Sequence, residues 1–120
     1  YCSGVHEATA QAFEVEPEVL RALMEDIETS PVDTRLKPIF HYVRKLTESP
    51  SRIVPADAAA VFAAGWDDAA LHDAVNICAL FNFMNRMVEG LGIKGTPEQH
   101  QMSGQRLSQI GYAGLKDLFS

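Results

Sequence analysis

The chain opens YCSGVHEATA, with a cysteine at position 2 and a histidine at position 6. Four residues make about one helical turn, so a helix running from Cys2 toward Phe13 puts thiol and imidazole on one face. A thiol at that place can act as a nucleophile. Unpaired N–H groups and the macrodipole at a helix N-terminus favour an anion, and a neighbouring imidazolium favours the thiolate over the thiol. His6 is then placed to take the thiol proton or to return it to a leaving group.

The same spacing has two plainer readings. Cys2 can be a small buried hydrophobe with His6 on the helix surface, a common outcome for a lone C-x3-H. Alternatively, Cys2 and His6 can be half of a zinc site completed by two of His41, His72, Cys78 and His100. Structural zinc sites ordinarily use closely spaced ligand pairs, and only one such pair is present here.

Other polar residues read as structural. Cys78 falls inside the apolar face of the longest helical stretch and reads as inert packing. In FNFMNR, the amides Asn82 and Asn85 with Arg86 interrupt that stretch. Buried polar groups must find partners, so these three are expected to tie the helix to loop carbonyls, or else to line a pocket or a subunit contact. His72, beside Asp73 at the helix start, is expected to be exposed and not catalytic. Met84, Met87 and Met102 read as core or interface filler.

The elements that must position Cys2 and His6 follow from apolar periodicity and breakers. A first helix runs from Ser3 to Ala12. A second starts at Glu16-Pro17, where Pro is tolerated in the first turn, and ends near Asp26. A third is expected to be capped by Asp33 or Thr34, to carry Leu36, Ile39, Phe40, Val43 and Leu46 on one stripe, and to stop before Ser49-Pro50. After a loop at 51–54, Pro55 to Ala64 form a short helix closed by Gly65. Asp67 caps the longest element, Asp68 to about Gly90, whose apolar residues nearly encircle it. A helix so apolar is expected to be central or covered by another subunit. Thr96 caps a last helix from Pro97 to about Ile110, and Gly111–Ser120 is read as a terminal arm. Nothing alternates with period two, so the fold class is all-α, a bundle of five to six helices. At an offset of 51 residues, AFEVEPEVLRA overlies AAGWDDAALHD with Leu20 and Leu71 in register, a weak internal echo of one helical unit.

The 120 residues, 47% of them hydrophobic, suffice for one domain with an ordinary core. A net charge of −6 supplies no basic stripe, so nucleic acid and anionic membranes are poor partners. The longest apolar run, Ala58 to Ala64, falls far short of the ~20 residues that span a bilayer. Two cysteines make no cystine scaffold, so reduced thiols and a cytoplasmic location are expected. Because a gene product does not open on Tyr-Cys, the chain is expected to be one domain lacking its N-terminal part.

YCSGVH resembles the second half of the C-x-x-C-x-x-x-H motif of the alkylhydroperoxidase AhpD-like and carboxymuconolactone decarboxylase superfamily. AAGWDDAALHDAVNICALFNFMNRMVEGLGI is similar to the C-terminal half of its "peroxidase-related" branch. The resemblance implies an AhpD-like helical bundle with one long central helix, assembled into homo-oligomers (dimer, trimer or hexamer), and no cofactor or metal. It implies a thiol-dependent peroxidase, or related disulfide oxidoreductase, that reduces hydrogen peroxide or organic hydroperoxides through a cysteine sulfenate. Carried over, Cys2 is the peroxidatic thiol and His6 the relay histidine. The resolving cysteine would stand two residues before Tyr1, and a relay glutamate further upstream. A thiol or protein reductant is the implied partner. Two alternatives belong to other classes: a lyase acting on lactones, as in the superfamily's other branch, and a non-catalytic helical oligomer with a vestigial cysteine.

Overall fold

Most helix boundaries are set by local chemistry. The computed structural model describes residues 1–114, and these form six α-helices and one 3-10 turn, with no strand among the described residues. The order is α1 (Cys2–Ala12), α2 (Pro17–Glu25), α3 (Lys37–Glu48), the 3-10 turn (Pro50–Arg52), α4 (Pro55–Ala63), α5 (Asp68–Gly90) and α6 (Pro97–Gly114). No helix among the described residues is long and apolar enough to cross a membrane. Residues 115–120 of the expected terminal arm lie outside the described residues.

Caps read from the sequence are made where expected. The Asp67 carboxylate accepts the Ala70 N–H at 2.8 Å and starts α5. At α6, Thr96 Oγ1 accepts the Gln99 N–H at 3.3 Å while Gln99 Oε1 accepts the Thr96 N–H at 2.9 Å, a reciprocal capping box with Pro97 between. The start of α3 differs from expectation. Asp33 turns its carboxylate to the Arg35 N–H, 2.9 Å away, and so closes a turn. The helix begins only at Lys37, next to Pro38. The loop expected at 51–54 contains most of the 3-10 turn.

The chain divides into two compact units. The first comprises Tyr1–Arg21 and the described residues from Met87, with α1 packed along α6. Val5, Ala8, Val88 and Leu107 are its buried apolar residues. α1 ends in a Schellman motif: the Val15 N–H reaches Ala10 O and the Glu14 N–H reaches Gln11 O, both at 3.0 Å. The residue that must be left-handed there is Glu14, at φ 62°.

The second unit is Ala22–Arg86. Ile27 and Val61 are enclosed almost completely, and buried Ser30 donates its hydroxyl to Ile27 O at 2.7 Å. α3 packs on α4, and Lys45 meets both Asp57 oxygens at 2.9 and 2.7 Å. That same carboxylate accepts the Val54 N–H at 2.8 Å and so starts α4. Trp66 donates its indole N–H to Arg35 O at 2.6 Å, under the Arg35 guanidinium stacked 4.8 Å above the ring centre.

α5 is the longest helix, 23 residues, yet only Val88 of it is buried. Ile77, Leu80, Phe83, Met84 and Met87 are between 43% and 59% exposed, so the apolar girdle is not enclosed within a single chain.

Candidate functional site

Cys2 is the first residue of α1, behind Tyr1 as N-cap, and Tyr1 supplies no side-chain cap. The first-turn amides of α1 are therefore left without a cap side chain. Cys2 is half-buried and free, as is Cys78. One turn on, His6 brings its Nδ1 to 2.8 Å from the Cys2 carbonyl oxygen. A carbonyl only accepts, so Nδ1 carries the proton. The tautomer follows: in neutral His6, Nε2 is the basic nitrogen. Nε2 lies 2.5 Å from the Tyr112 hydroxyl oxygen, and the two rings stack at 26° with centres 6.4 Å apart. The sequence places Cys2 and His6 on one helix face; in the structure the imidazole meets the Cys2 carbonyl oxygen, and a third residue, 106 positions from the histidine, joins the ring on its other side.

Tyr112 responds to both neighbours. Partial burial pushes its hydroxyl above the ordinary phenol value, and the negative charge of Cys2 pushes it further.

Two glycines make the arrangement. A Cβ on Gly104 would lie 2.5 Å from Ala8 Cβ and 2.9 Å from the Ala8 carbonyl carbon and the Thr9 nitrogen, so α6 approaches α1 backbone to backbone. Thr9 joins the contact, donating its hydroxyl to Val5 O at 2.8 Å and lying 3.5 Å from Gly104 O. Then Gly111, at φ 61° and ψ 179°, breaks the helical path inside α6. Only glycine occupies that backbone region readily. Immediately beyond the kink, Tyr112 lies against His6. The expected end of the last helix at Ile110 is thus a kink, with helical structure on both sides.

The first turn of α1 has another neighbour. The His100 ring is packed where a Cβ on Gly4 would meet its Nδ1 at 2.2 Å, and it meets the Tyr1 ring edge-on at 5.5 Å. Among the described residues its buried Nε2 has no hydrogen-bond partner. Tyr1 extends its hydroxyl to within 3.4 Å of Ser103 Oγ.

The remaining sequence candidates go to other work. Cys78 is not inert packing: its sulfur lies 3.2 Å from Thr47 Oγ1 and accepts from Asn82 Nδ2 at 3.4 Å. Asn82 also donates to Thr47 Oγ1 at 3.0 Å and Cys78 O at 2.9 Å, and accepts from Arg86 at 2.7 Å. The amide therefore ties α5 to a side chain of α3, not to loop carbonyls. Asn85 is exposed. His41 pairs with Glu28 at 2.6 Å, and exposed His72 accepts from Asn76 at 3.1 Å. Among the described residues no three His, Cys, Asp or Glu side chains converge on a point that could hold a metal ion.

A second concavity, of about 400 Å³, is lined by His41, Arg44, Lys45, Glu48, Arg52 and Asp57, together with Ser49. Most of its positive charge is already engaged. Lys45 is held by Asp57, His41 by Glu28, and Arg44 donates to the Leu23 and Met24 carbonyls at 3.0 and 3.4 Å. The first constellation sets an imidazole on the backbone of the residue that bears a thiol.

Comparisons of the chain with protein-family models, with curated proteins and with solved structures find no match.

Proposed function

We propose that the chain acts as a thiol-dependent peroxidase, with Cys2 as the attacking sulfur and His6 as the group that moves its proton. The observation that carries the reading is the 2.8 Å bond from His6 Nδ1 to the carbonyl of Cys2. It fastens the imidazole to the residue that bears the thiol and leaves Nε2 basic, the state a proton acceptor needs.

The chemistry balances with a hydroperoxide and two thiols. The Cys2 sulfur bonds to one peroxide oxygen as the O–O bond breaks. The other oxygen leaves as water or an alcohol after taking a proton, and Cys2 becomes a sulfenic acid. A thiol reductant condenses with it, releasing water and leaving a mixed disulfide. A second thiol attacks that disulfide and restores Cys2.

The test is consumption of hydrogen peroxide and of tert-butyl hydroperoxide with dithiothreitol as reductant. Turnover that is lost in Cys2→Ser and falls about 10²-fold or more in His6→Asn is the expected result. Consumption by the wild-type chain no faster than by Cys2→Ser overturns the reading.

We propose further that the chain works as a homo-oligomer. Ile77, Leu80, Met84 and Met87 stand exposed along α5 at spacings of three, four and three, the pattern with which two copies of one helix interlock.

A further inference from the structure

We infer that Tyr112 is a built-in cover on the base: its hydroxyl occupies the Nε2 lone pair of His6, and Tyr112 must move aside on the Gly111 joint before the imidazole can serve the thiol. The inference rests on the reading of His6 as the group that takes the Cys2 proton, and it assigns this arrangement to the resting state of the site.

Donors and acceptors decide the point. His6 Nδ1 lies 2.8 Å from the Cys2 carbonyl oxygen, which only accepts, so Nδ1 is the protonated nitrogen. The neutral ring then has its one accepting nitrogen at Nε2. The Tyr112 oxygen stands 2.5 Å from that nitrogen, so the phenol donates and Nε2 accepts. A base whose lone pair already holds one donor has to release it before taking a proton from another group. The two bonds turn the ring to a carbonyl and a phenol, and among the described residues no hydrogen bond reaches the Cys2 sulfur. In this arrangement the base serves the phenol and not the thiol.

The fold makes the cover removable. At Gly104, α6 lies against α1 so closely that a Cβ would strike Ala8 and Thr9, which fixes that part of the helix. Gly111, at φ 61° and ψ 179°, interrupts the helical path between this contact and Tyr112. Among the described residues a Cβ at 111 would have nothing within 4 Å, so the joint is not wedged by its neighbours. Glycine absorbs large changes of φ and ψ at low steric cost. Tyr112 is 50% exposed, so its departure uncovers less apolar surface than that of an enclosed ring. A hydrogen bond of ordinary net strength favours the covered state by about twofold to tenfold. His6 is then covered most of the time and still reachable.

The experiment follows alkylation of Cys2 by iodoacetamide at pH 7, by peptide mass spectrometry, in the full chain of wild type, Tyr112→Phe, His6→Asn and the double variant. Tyr112→Phe keeps the ring and removes the hydroxyl, and it is expected to alkylate about twofold to tenfold faster than wild type. In the His6→Asn background the same change is expected to have no effect, because the hydroxyl acts through the imidazole. A Tyr112→Phe rate no higher than wild type overturns the cover. So does a rise that persists in the double variant, which would mean that Tyr112 merely shields Cys2. If Tyr112→Phe loses helix content, the ¹⁵N shifts of the neutral His6 ring in the wild-type protein decide: the Nδ1–H tautomer with a hydrogen-bonded Nε2 is required, and the Nε2–H tautomer overturns the cover. In a folded Tyr112→Phe chain the Nε2 resonance is expected to move as the bond is lost. Peroxide consumption separates the two readings. Faster alkylation of Tyr112→Phe in a chain that consumes no peroxide keeps the cover and removes the peroxidase. Peroxide turnover with an unchanged alkylation rate in Tyr112→Phe does the reverse.

Discussion

Gly104 of α6 rests directly on Ala8 of α1, so closely that a single added methyl would lie 2.5 Å from the Ala8 Cβ. The contact makes α1 and α6 one body, and α1 carries Cys2 and His6 while α6 carries Tyr112. Gly104→Ala is expected to lower stability by about 1–3 kcal/mol, the usual cost of overpacking a close contact. Ala8→Gly in the same chain should recover only part of the loss, since the Ala8 carbonyl carbon and the Thr9 nitrogen, both 2.9 Å from the added Cβ, remain. Urea unfolding of the two variants measures this. Full recovery would show that side chains alone set the distance.

Glu14 is the one described non-glycine residue with positive φ, at 62°, and it closes α1. A left-handed residue with a Cβ costs about 1–2 kcal/mol, which glycine avoids. Glu14→Gly is therefore expected to stabilise the chain by about 1 kcal/mol, despite the greater freedom of glycine in the unfolded chain. The side chain is exposed, so no packing is lost. A lower thermal midpoint in Glu14→Gly would contradict the assignment of the Schellman motif as the end of α1.

These two positions show what the sequence does and does not disclose. Helix starts governed by near neighbours are legible: Asp67 for α5, and Thr96 with Pro97 for α6. So is the shared face of Cys2 and His6, which needs only the helical period. Asp33 misled because a carboxylate before a helix can close a turn as readily as cap a helix. Tyr112 was beyond reach. Its place beside His6 depends on the pairing of α1 with α6 and on a kink at Gly111, and nothing in GYAG distinguishes that kink from the start of a loose arm. Cys78 likewise read as apolar because its polar neighbours come from Thr47, 31 residues away, and from an amide one turn along its own helix.

Asp57 predicts part of the acid limb of stability. Its carboxyl is held below the ordinary value first by the Lys45 ammonium and then by the Val54 N–H. A carboxyl with a depressed folded pKa contributes stability that is present above its unfolded value, about 3.9, and is lost as pH falls through the folded one. Asp57→Asn should therefore flatten the fall in stability below pH 4. It should not abolish it, since Asp26 and Glu98 are depressed as well. Unfolding followed from pH 5 to pH 2 tests this, and parallel curves for the two proteins would show that the Lys45 pair contributes nothing.

The exposed residues of α5 predict the state of assembly. If Ile77, Leu80, Met84 and Met87 meet a second copy, Leu80→Glu and Met84→Glu place charges in the seam, 51% and 43% exposed in the single chain. Light scattering after size exclusion is expected to show an oligomer for the wild type and a smaller species for each variant, with helix content unchanged. A monomeric wild type would leave the apolar stripe without the partner proposed for it.

Gly111 links backbone geometry to the reaction. Any L side chain at φ 61°, ψ 179° is strained by about 1–3 kcal/mol, and the relief available is to carry α6 onward as a helix. Space is not the obstacle, because among the described residues a Cβ at 111 would have nothing within 4 Å. Gly111→Ala should therefore leave the global fold in place and move the Tyr112 hydroxyl away from His6 Nε2. The expected result is a chain with wild-type helix content in which the His6 Nε2 ¹⁵N resonance moves as it does in Tyr112→Phe, since both variants remove the same hydroxyl. A Gly111→Ala chain whose His6 resonance matches wild type would mean that Tyr112 reaches His6 without the kink.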